Sequence, residues 1–304
     1  MVVVIAPPRV RPGDRVAVVA PAGPVPRDRF VVGAEILRGR YALVHGERLF
    51  TRTGFLAGDD EARLAELQRA LDDDEVAAVI CARGGYGLTR ILARIDLTRF
   101  AARPKPVVGF SDVTALLALV ARAGVVAVHG PVVTQLGELP PDDAAALIAL
   151  LEDPAPPPPM AGLTQVAGPA RAVEGRLLGG NLELVRSLAG TPQQLDLDGA
   201  VLLLEEVGER PYRIDRALTQ LAEAGALRGV VGCVVGDLVG CAERDGAPPT
   251  ALEVIAERLG RLDIPVVAGA PIGHGGRNRA VPHGARVRLD PAAGVLAFSD
   301  GAVR

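Results

Sequence analysis

Apolar and polar positions along this chain follow two rhythms in turn. Residues 15–20 read RVAVVA and stop at Pro21-Ala22-Gly23-Pro24. A short Val-rich run closed by proline and glycine predicts a buried strand entering a loop. Residues 59–71, DDEARLAELQRAL, repeat their apolar positions at helical spacing behind an acidic start, which predicts a helix. A strand follows over 75–81 (EVAAVIC) and runs into Arg83-Gly84-Gly85-Tyr86-Gly87, before a helical pattern over 88–95. Residues 106–110 (PVVGF) form the next predicted strand, then Ser111, a helix over 113–123 and a strand over 125–128. Further on, strands are predicted at 201–204, 227–236 and 266–268, and helices at 214–222 and 251–259. The period-two stretch ARVRL at 285–289 reads as a half-buried edge strand.

Strands alternating with helices predict an α/β fold with a mainly parallel sheet. Ligands bind such sheets at the carboxyl ends of their strands, where the 83–87 and 109–112 loops lie. Residues 151–168 break the rhythm, with Pro154, Pro156, Pro157, Pro158 and Pro159 close together. A proline run is a stiff extended connector. The expected layout is therefore a domain over 1–150, a linker over 151–168 and a second domain over 169–304. A length of 304 residues suits one large or two ordinary domains, and 49% hydrophobic residues can fill their cores.

Net charge is −3, with both signs spread throughout, so the concentrated basic stripe of a nucleic-acid binder is absent. No run of about 18 apolar residues suggests a membrane span. The first residues lack the pattern of a secretory signal, so a cytoplasmic protein is expected. Cys81, Cys233 and Cys241 are an odd number without zinc-ligand spacing. They are expected to be buried free thiols, with no metal site.

Candidate chemistry begins at Gly109-Phe110-Ser111-Asp112. A strand, one serine and then a helix match a nucleophile elbow, although Val113 stands where G-x-S-x-G has its last glycine. A plain helix cap by Ser111 or Asp112 is the commoner meaning of such a motif taken alone. A serine nucleophile needs a base, and the chain offers His45, His129, His274 and His283. His274, in Gly273-His274-Gly275-Gly276, sits in a tightly turned loop that suits a base or an ordinary polar turn. His129 lies in an apolar setting, and His283 in a turn. Glu205 closes an apolar strand, so its carboxylate is expected at a sheet edge in partial burial. There it would pair with a histidine or with Arg210 or Arg213; Glu206 and Glu209 are rivals. The 83–87 loop fits neither G-x-G-x-x-G nor a P-loop. It reads as a phosphate cradle or as an oxyanion loop.

Taken together, these stretches resemble the LD-carboxypeptidase family, the muramoyltetrapeptide carboxypeptidases. The matching motifs, in the family's order, are RPGDRVAVVAPAGPV, ARGGYG, GFSDVTAL, HGPV, GRLLGGNLELV, LLLEEVGERPYRIDRAL and GHGGRNRAVPHGA. The proline-rich linker is the one stretch without a counterpart. The resemblance implies an N-terminal Rossmann-like parallel-sheet domain and a smaller C-terminal α/β domain with a barrel-like sheet, the site lying between them. It implies Ser111 as nucleophile, His274 as base and Glu205 as the acid that orients it. The backbone N–H groups of Asp112 and Gly85 would form the oxyanion hole, with no metal or organic cofactor. The implied substrate is a cytoplasmic murein tetrapeptide or muropeptide that loses a terminal D-alanine. Arg83 and Arg176 are candidate anchors for it, although structural roles suit both. The resemblance also suggests a homodimer.

Two rival readings differ in kind. A microcin-immunity-type serine peptidase shares the fold and triad but acts on aminoacyl-adenylate-like antibiotics. Gripping a purine favours Trp, and this chain has none, with 3% aromatic residues. The other rival is a non-catalytic two-lobed binding protein.

Overall fold

The structure, a computed structural model, describes residues 4–304. Its strands in chain order are β1 (Arg15–Val19), β2 (Ala42–Val44), β3 (Ala78–Cys81), β4 (Val107–Gly109), β5 (Ala127–His129), β6 (Met160–Ala161), β7 (Thr164–Ala167), β8 (Val173–Asn181), β9 (Ala200–Val207), β10 (Gly232–Val239), β11 (Val266–Ala268), β12 (Val281–His283), β13 (Arg286–Asp290) and β14 (Val295–Phe298). The chain divides into two compact units, and both are discontinuous. The first runs up to Ala155 and takes in Arg279–His283 and Gly301–Arg304. The second, the smaller, is Pro156–Asn278 with Gly284–Asp300.

The first unit is a sheet in the order β12-β5-β4-β3-β1-β2. β1 to β5 are parallel, and β12 returns antiparallel against β5. Every residue of β3, β4 and β5 is buried, which explains their unbroken apolar runs: helices cover both faces of such a sheet. The helix Thr114–Arg122 buries seven of its nine residues. Each fully buried Val or Leu contributes roughly 1.5–3 kcal/mol relative to exposure. The strand order 2-1-3-4-5 is a doubly wound arrangement whose chain direction switches between β1 and β3. The loops after β1, β3 and β4 therefore leave adjacent strand ends. The register Val19↔Cys81 and Ile80↔Val108 keeps those ends nearly level.

The second unit is an eight-stranded, curled half-barrel sheet, β6-β14-β13-β8-β9-β10-β11-β7. Its centre, β8 to β11, is parallel; β7 on one side and β13, β14 and β6 on the other are antiparallel. The α/β class and its parallel-sheet first unit agree with the sequence, but three details differ. β13 is not an edge strand, since β8 and β14 pair with its two sides. Its alternating exposure reports one solvated face, which an interior strand of a one-sided sheet also has. The strand expected over 227–236 starts only at Gly232, after turns. The stretch read as linker contains the end of the helix Pro141–Glu152 and all of β6 and β7. Its irregular part is mainly the proline segment 153–159, because proline donates no ladder hydrogen bond.

Candidate active site

In the first unit three turns converge at the ends of β1, β3 and β4. Ser111 has φ +62°, a left-handed conformation that is rare for a residue with a Cβ. Such strain persists only where the surroundings impose it, and a sharp strand-to-helix turn of this kind is what a nucleophile elbow requires. The 83–87 loop lies directly against it: a Cβ on Gly84 would sit 2.9 Å from Ser111 Cβ and 3.1 Å from its Oγ. Glycine is therefore required at 84 for a close approach. Gly84 C=O accepts from Gly23 N–H at 2.9 Å, which ties the loop to the turn after β1.

Asp112 does not cap its own helix. Its carboxylate is 2% exposed, and Oδ2 accepts the Leu88 N–H at 2.8 Å, across from the 83–87 loop. Burial pushes its pKa up to about 6, against the Leu88 and Gly87 N–H groups and the Arg63 charge, which lower it.

In the second unit Glu205 lies inside β9, between β8 and β10, and is 0% exposed. The expectation of a partly buried carboxylate at a sheet edge is thus corrected: β9 runs on to Val207, so Glu205 sits within the ladder. A fully buried carboxylate needs a partner. His274 Nδ1 lies 2.7 Å from Glu205 Oε2. A carboxylate at Nδ1 favours the tautomer with its proton there, so Nε2 carries the lone pair. Gly273, φ +129°, makes this contact possible, since a Cβ there would come 2.9 Å from Glu205 Oε2.

The rival acids are occupied elsewhere. Glu206 points to the opposite face of β9 and accepts from Asn181 Nδ2, Glu183 N–H and Val207 N–H at 2.8–2.9 Å. Burial raises its pKa, and those donors oppose the shift. Glu209 pairs with Arg213, and Arg210 with Glu243. The other histidines belong to the first unit. His129 and His283 are fully buried, and His45 packs edge-on against Phe30 and Phe50.

Arg83 and Arg176 are both half-buried and both donate to backbone: Arg83 Nη1 to Pro24 C=O at 2.5 Å, Arg176 Nε to Gly284 C=O at 2.9 Å. Burial lowers the pKa of each, and the neighbouring charges of Arg29 and Arg52 lower that of Arg83 further. The three cysteines are free and buried. Among the described residues, no group of three or more His, Cys, Asp or Glu is placed to hold a metal ion. Nor is any helix among them long and apolar enough to cross a membrane.

Sequence reasoning missed the residues that hold the His274 loop. Asp237 Oδ2 accepts from Gly275 N–H at 2.9 Å, and Asn278 Oδ1 from Gly273 N–H at 3.1 Å. Burial raises the Asp237 pKa; Gly275 N–H and His274 lower it, and Glu205 adds to it. Gly236-Asp237, where the β9–β10 register shifts, is the only local signal. It also missed Arg63, 1% exposed, on the helix Asp60–Asp72.

Residues 16–130 match the LD-carboxypeptidase N-terminal domain, and residues 174–289 match the LD-carboxypeptidase C-terminal domain. The chain belongs to the LD-carboxypeptidase family. It is therefore a peptidase, as the motifs led us to expect. The murein tetrapeptide carboxypeptidase of Pseudomonas aeruginosa, a relative within this family, is 35% identical over 91% of this chain and 93% of its own length. The crystal structure of muramoyltetrapeptide carboxypeptidase from Oxalobacter formigenes matches with a TM-score of 0.82 and 30% identity, over 94% of this chain and 98% of that one. The microcin C7 self immunity protein MccF, in complex with aspartyl sulfamoyl adenosine, matches with a TM-score of 0.88 over 99% and 100% of the two chains. At 21% identity that likeness concerns the LD-carboxypeptidase fold alone.

Proposed function

We propose that this LD-carboxypeptidase is a serine peptidase that releases the terminal D-alanine of a murein tetrapeptide, with Ser111 as nucleophile, His274 as base and Glu205 as the orienting acid. The observation that carries the reading is the 2.7 Å Glu205–His274 pair, in a chain whose strained serine turn follows a parallel strand. Ser111 Oγ attacks the carbonyl carbon of the scissile bond, and His274 Nε2 takes its proton. The negative charge that forms on the carbonyl oxygen is met by the Asp112 and Gly85 N–H groups, an interaction made strongest in the transition state. Glu205 holds the imidazole and stabilises its protonated form. The C–N bond then breaks, and His274 passes the proton to the departing D-alanine amine. Water, deprotonated by His274, attacks the acyl-serine and restores Ser111.

Arg83 is the better placed of the two arginines to take the substrate's terminal carboxylate. It is half-buried near other cations, and the next residue, Gly84, packs against Ser111. We place the reaction in cytoplasmic recycling of cell-wall peptides by a homodimer. The name of the Pseudomonas relative supports the substrate class.

The second reading, cleavage of an aminoacyl-adenylate-like compound, draws on one feature. Phe55 and Tyr86 stand exposed beside the glycine loop, edge to face with ring centroids 5.5 Å apart, and offer a surface on which a purine can stack. One experiment separates the readings: the purified protein is given a murein tetrapeptide and an aspartyl sulfamoyl adenosine inhibitor, and D-alanine release is followed by mass spectrometry. The first reading predicts D-alanine release that survives the inhibitor at substrate-like concentration. No release, together with tight inhibitor binding, would transfer the assignment to the second.

A further inference from the structure

The mechanism above leaves two buried charged groups unexplained, Arg63 and the side chain of Asp112. Both close on one short stretch of backbone. Arg63 Nη1 donates to Gly87 C=O at 3.0 Å and also to Pro21 C=O, so it joins the glycine loop to the turn after β1. From the other side Asp112 Oδ2 takes the Leu88 N–H at 2.8 Å, and the Gly87 N–H also faces this carboxylate. The two peptide units flanking Gly87 are thus gripped at carbonyl and amide ends by opposite charges. Gly87 has φ +138°, and a Cβ there would come 2.7 Å from Arg63 Nη1, so the grip and the glycine require each other. Behind Arg63, Asp60 pairs with it and with Arg90, whose Nε and Nη2 lie 2.8–3.0 Å from the Asp60 oxygens. Burial keeps the Cys81 thiol on β3 protonated, and the Asp112 charge adds to that.

Charged groups are among the residues least often fully buried. Hydrogen bonds from charged groups to backbone are also stronger than neutral ones, so they fix a turn more firmly. A merely space-filling role would be met by an apolar pair at lower desolvation cost.

We propose that Arg63 and the Asp112 side chain are positioning residues that clamp the 83–87 turn, so that its backbone keeps the shape and distance from Ser111 needed to receive the oxyanion. This rests on the proposed serine mechanism. The clamp acts through Gly87 and Leu88 on Gly84 and Gly85, without touching substrate. It links a helix-borne cation to the residue after the nucleophile, so the loop and the serine turn move as one body.

The test uses the full-length protein and four variants: Asp112→Ala, Asp112→Asn, Arg63→Met and Arg63→Lys. Amide hydrogen exchange is read over 83–90, kcat and KM are read for D-alanine release, and thermal unfolding checks the fold. Asp112→Ala removes the acceptor. It is expected to speed exchange over 83–90 at least tenfold and to lower kcat about a hundredfold, with KM within threefold, as for a misplaced catalytic group. Asp112→Asn keeps an acceptor oxygen and should recover at least part of kcat while remaining folded; Arg63→Lys should recover part of the Arg63→Met loss. Unchanged exchange over 83–90 in Asp112→Ala, or a kcat within threefold of wild type, overturns the clamp. A wild type that releases no D-alanine although exchange responds sinks the peptidase mechanism, and with it the clamp's catalytic purpose. An active wild type with unresponsive exchange sinks the clamp alone.

Discussion

Around Ser111 in the first unit backbone shape leaves no room to spare, whereas around His274 in the second side-chain oxygens make the contacts. Around Ser111 the chain accepts a φ of +62°, a glycine whose missing Cβ leaves room for the serine, and a loop gripped by buried charges. Around His274, one carboxylate inside a strand reaches the imidazole at 2.7 Å, and Asp237 and Asn278 fasten the flanking glycines. The serine turn should therefore fail when volume is added to it. The acid–base pair should fail when an oxygen's chemistry is changed and its shape kept.

The sharpest contrast is between two neighbouring glutamates. Glu205→Gln keeps the shape but no longer favours the required imidazole tautomer, and kcat should fall about 10⁴-fold, as for other triad acids turned into amides. Glu206→Gln keeps one acceptor oxygen but turns the other into an NH2 group that faces N–H donors, so it should cost about 1–3 kcal/mol of stability and leave kcat within fivefold. Chemical denaturation and D-alanine release, measured on both variants, check this; equal losses of kcat would break the distinction.

Volume is tested next. Gly84→Ala places a methyl group 2.9 Å from Ser111 Cβ, and the shift it forces should lower kcat about 100-fold. Gly276→Ala, in the His274 loop, meets nothing within 4 Å and should leave activity unchanged. A Gly84→Ala variant as active as wild type would mean that the serine turn is softer than described.

Asp112 gives a pH signature confined to the first unit. Its pKa, about 6, lies above the ordinary carboxyl value of 3.8. Ionising it therefore opposes folding: its contribution to stability is fully present below pH 4 and is lost as pH rises through 6. Asp112→Asn should match wild type near pH 4 and exceed it at pH 8, by at most about 3 kcal/mol. Denaturation midpoints at the two pH values decide, and a variant less stable than wild type at pH 8 contradicts the account. The smallest effect on stability concerns backbone strain. Ser111→Gly should gain about 1 kcal/mol in stability while abolishing activity, and Ser111→Ala should show no such gain.

Much of this contrast was legible in the sequence because its parts are local. The helix behind Asp59 begins where its acidic start suggests, with Asp59 accepting from Ala62 N–H. The strand–serine–helix order of the Gly-Phe-Ser-Asp stretch marks a sharp turn, and Gly273 beside His274 takes a φ that only glycine enters without cost. Arg63 could not be recognised. On DDEARLAELQRAL it looks like one more surface charge, and what buries it are carbonyls 42 and 24 residues away. The pairing of Glu205 with a histidine was legible but its place inside β9 was not, because nothing in LLLEEV marks where pairing stops. Asp237 and Asn278 act through bonds to loop backbone that only the folded second unit brings near. β6 and β7 hid among prolines, whose local stiffness says nothing about their neighbours.

The central proposal is that His274, oriented by Glu205, serves as the base that activates Ser111. The rate at which a serine-directed fluorophosphonate acylates the protein, with peptide mapping of the labelled site, tests it most directly. Labelling of wild type on Ser111, slowed at least a thousandfold in a folded His274→Ala variant, is the predicted result. Labelling at another residue, or equal rates on Ser111 in both proteins, would contradict it.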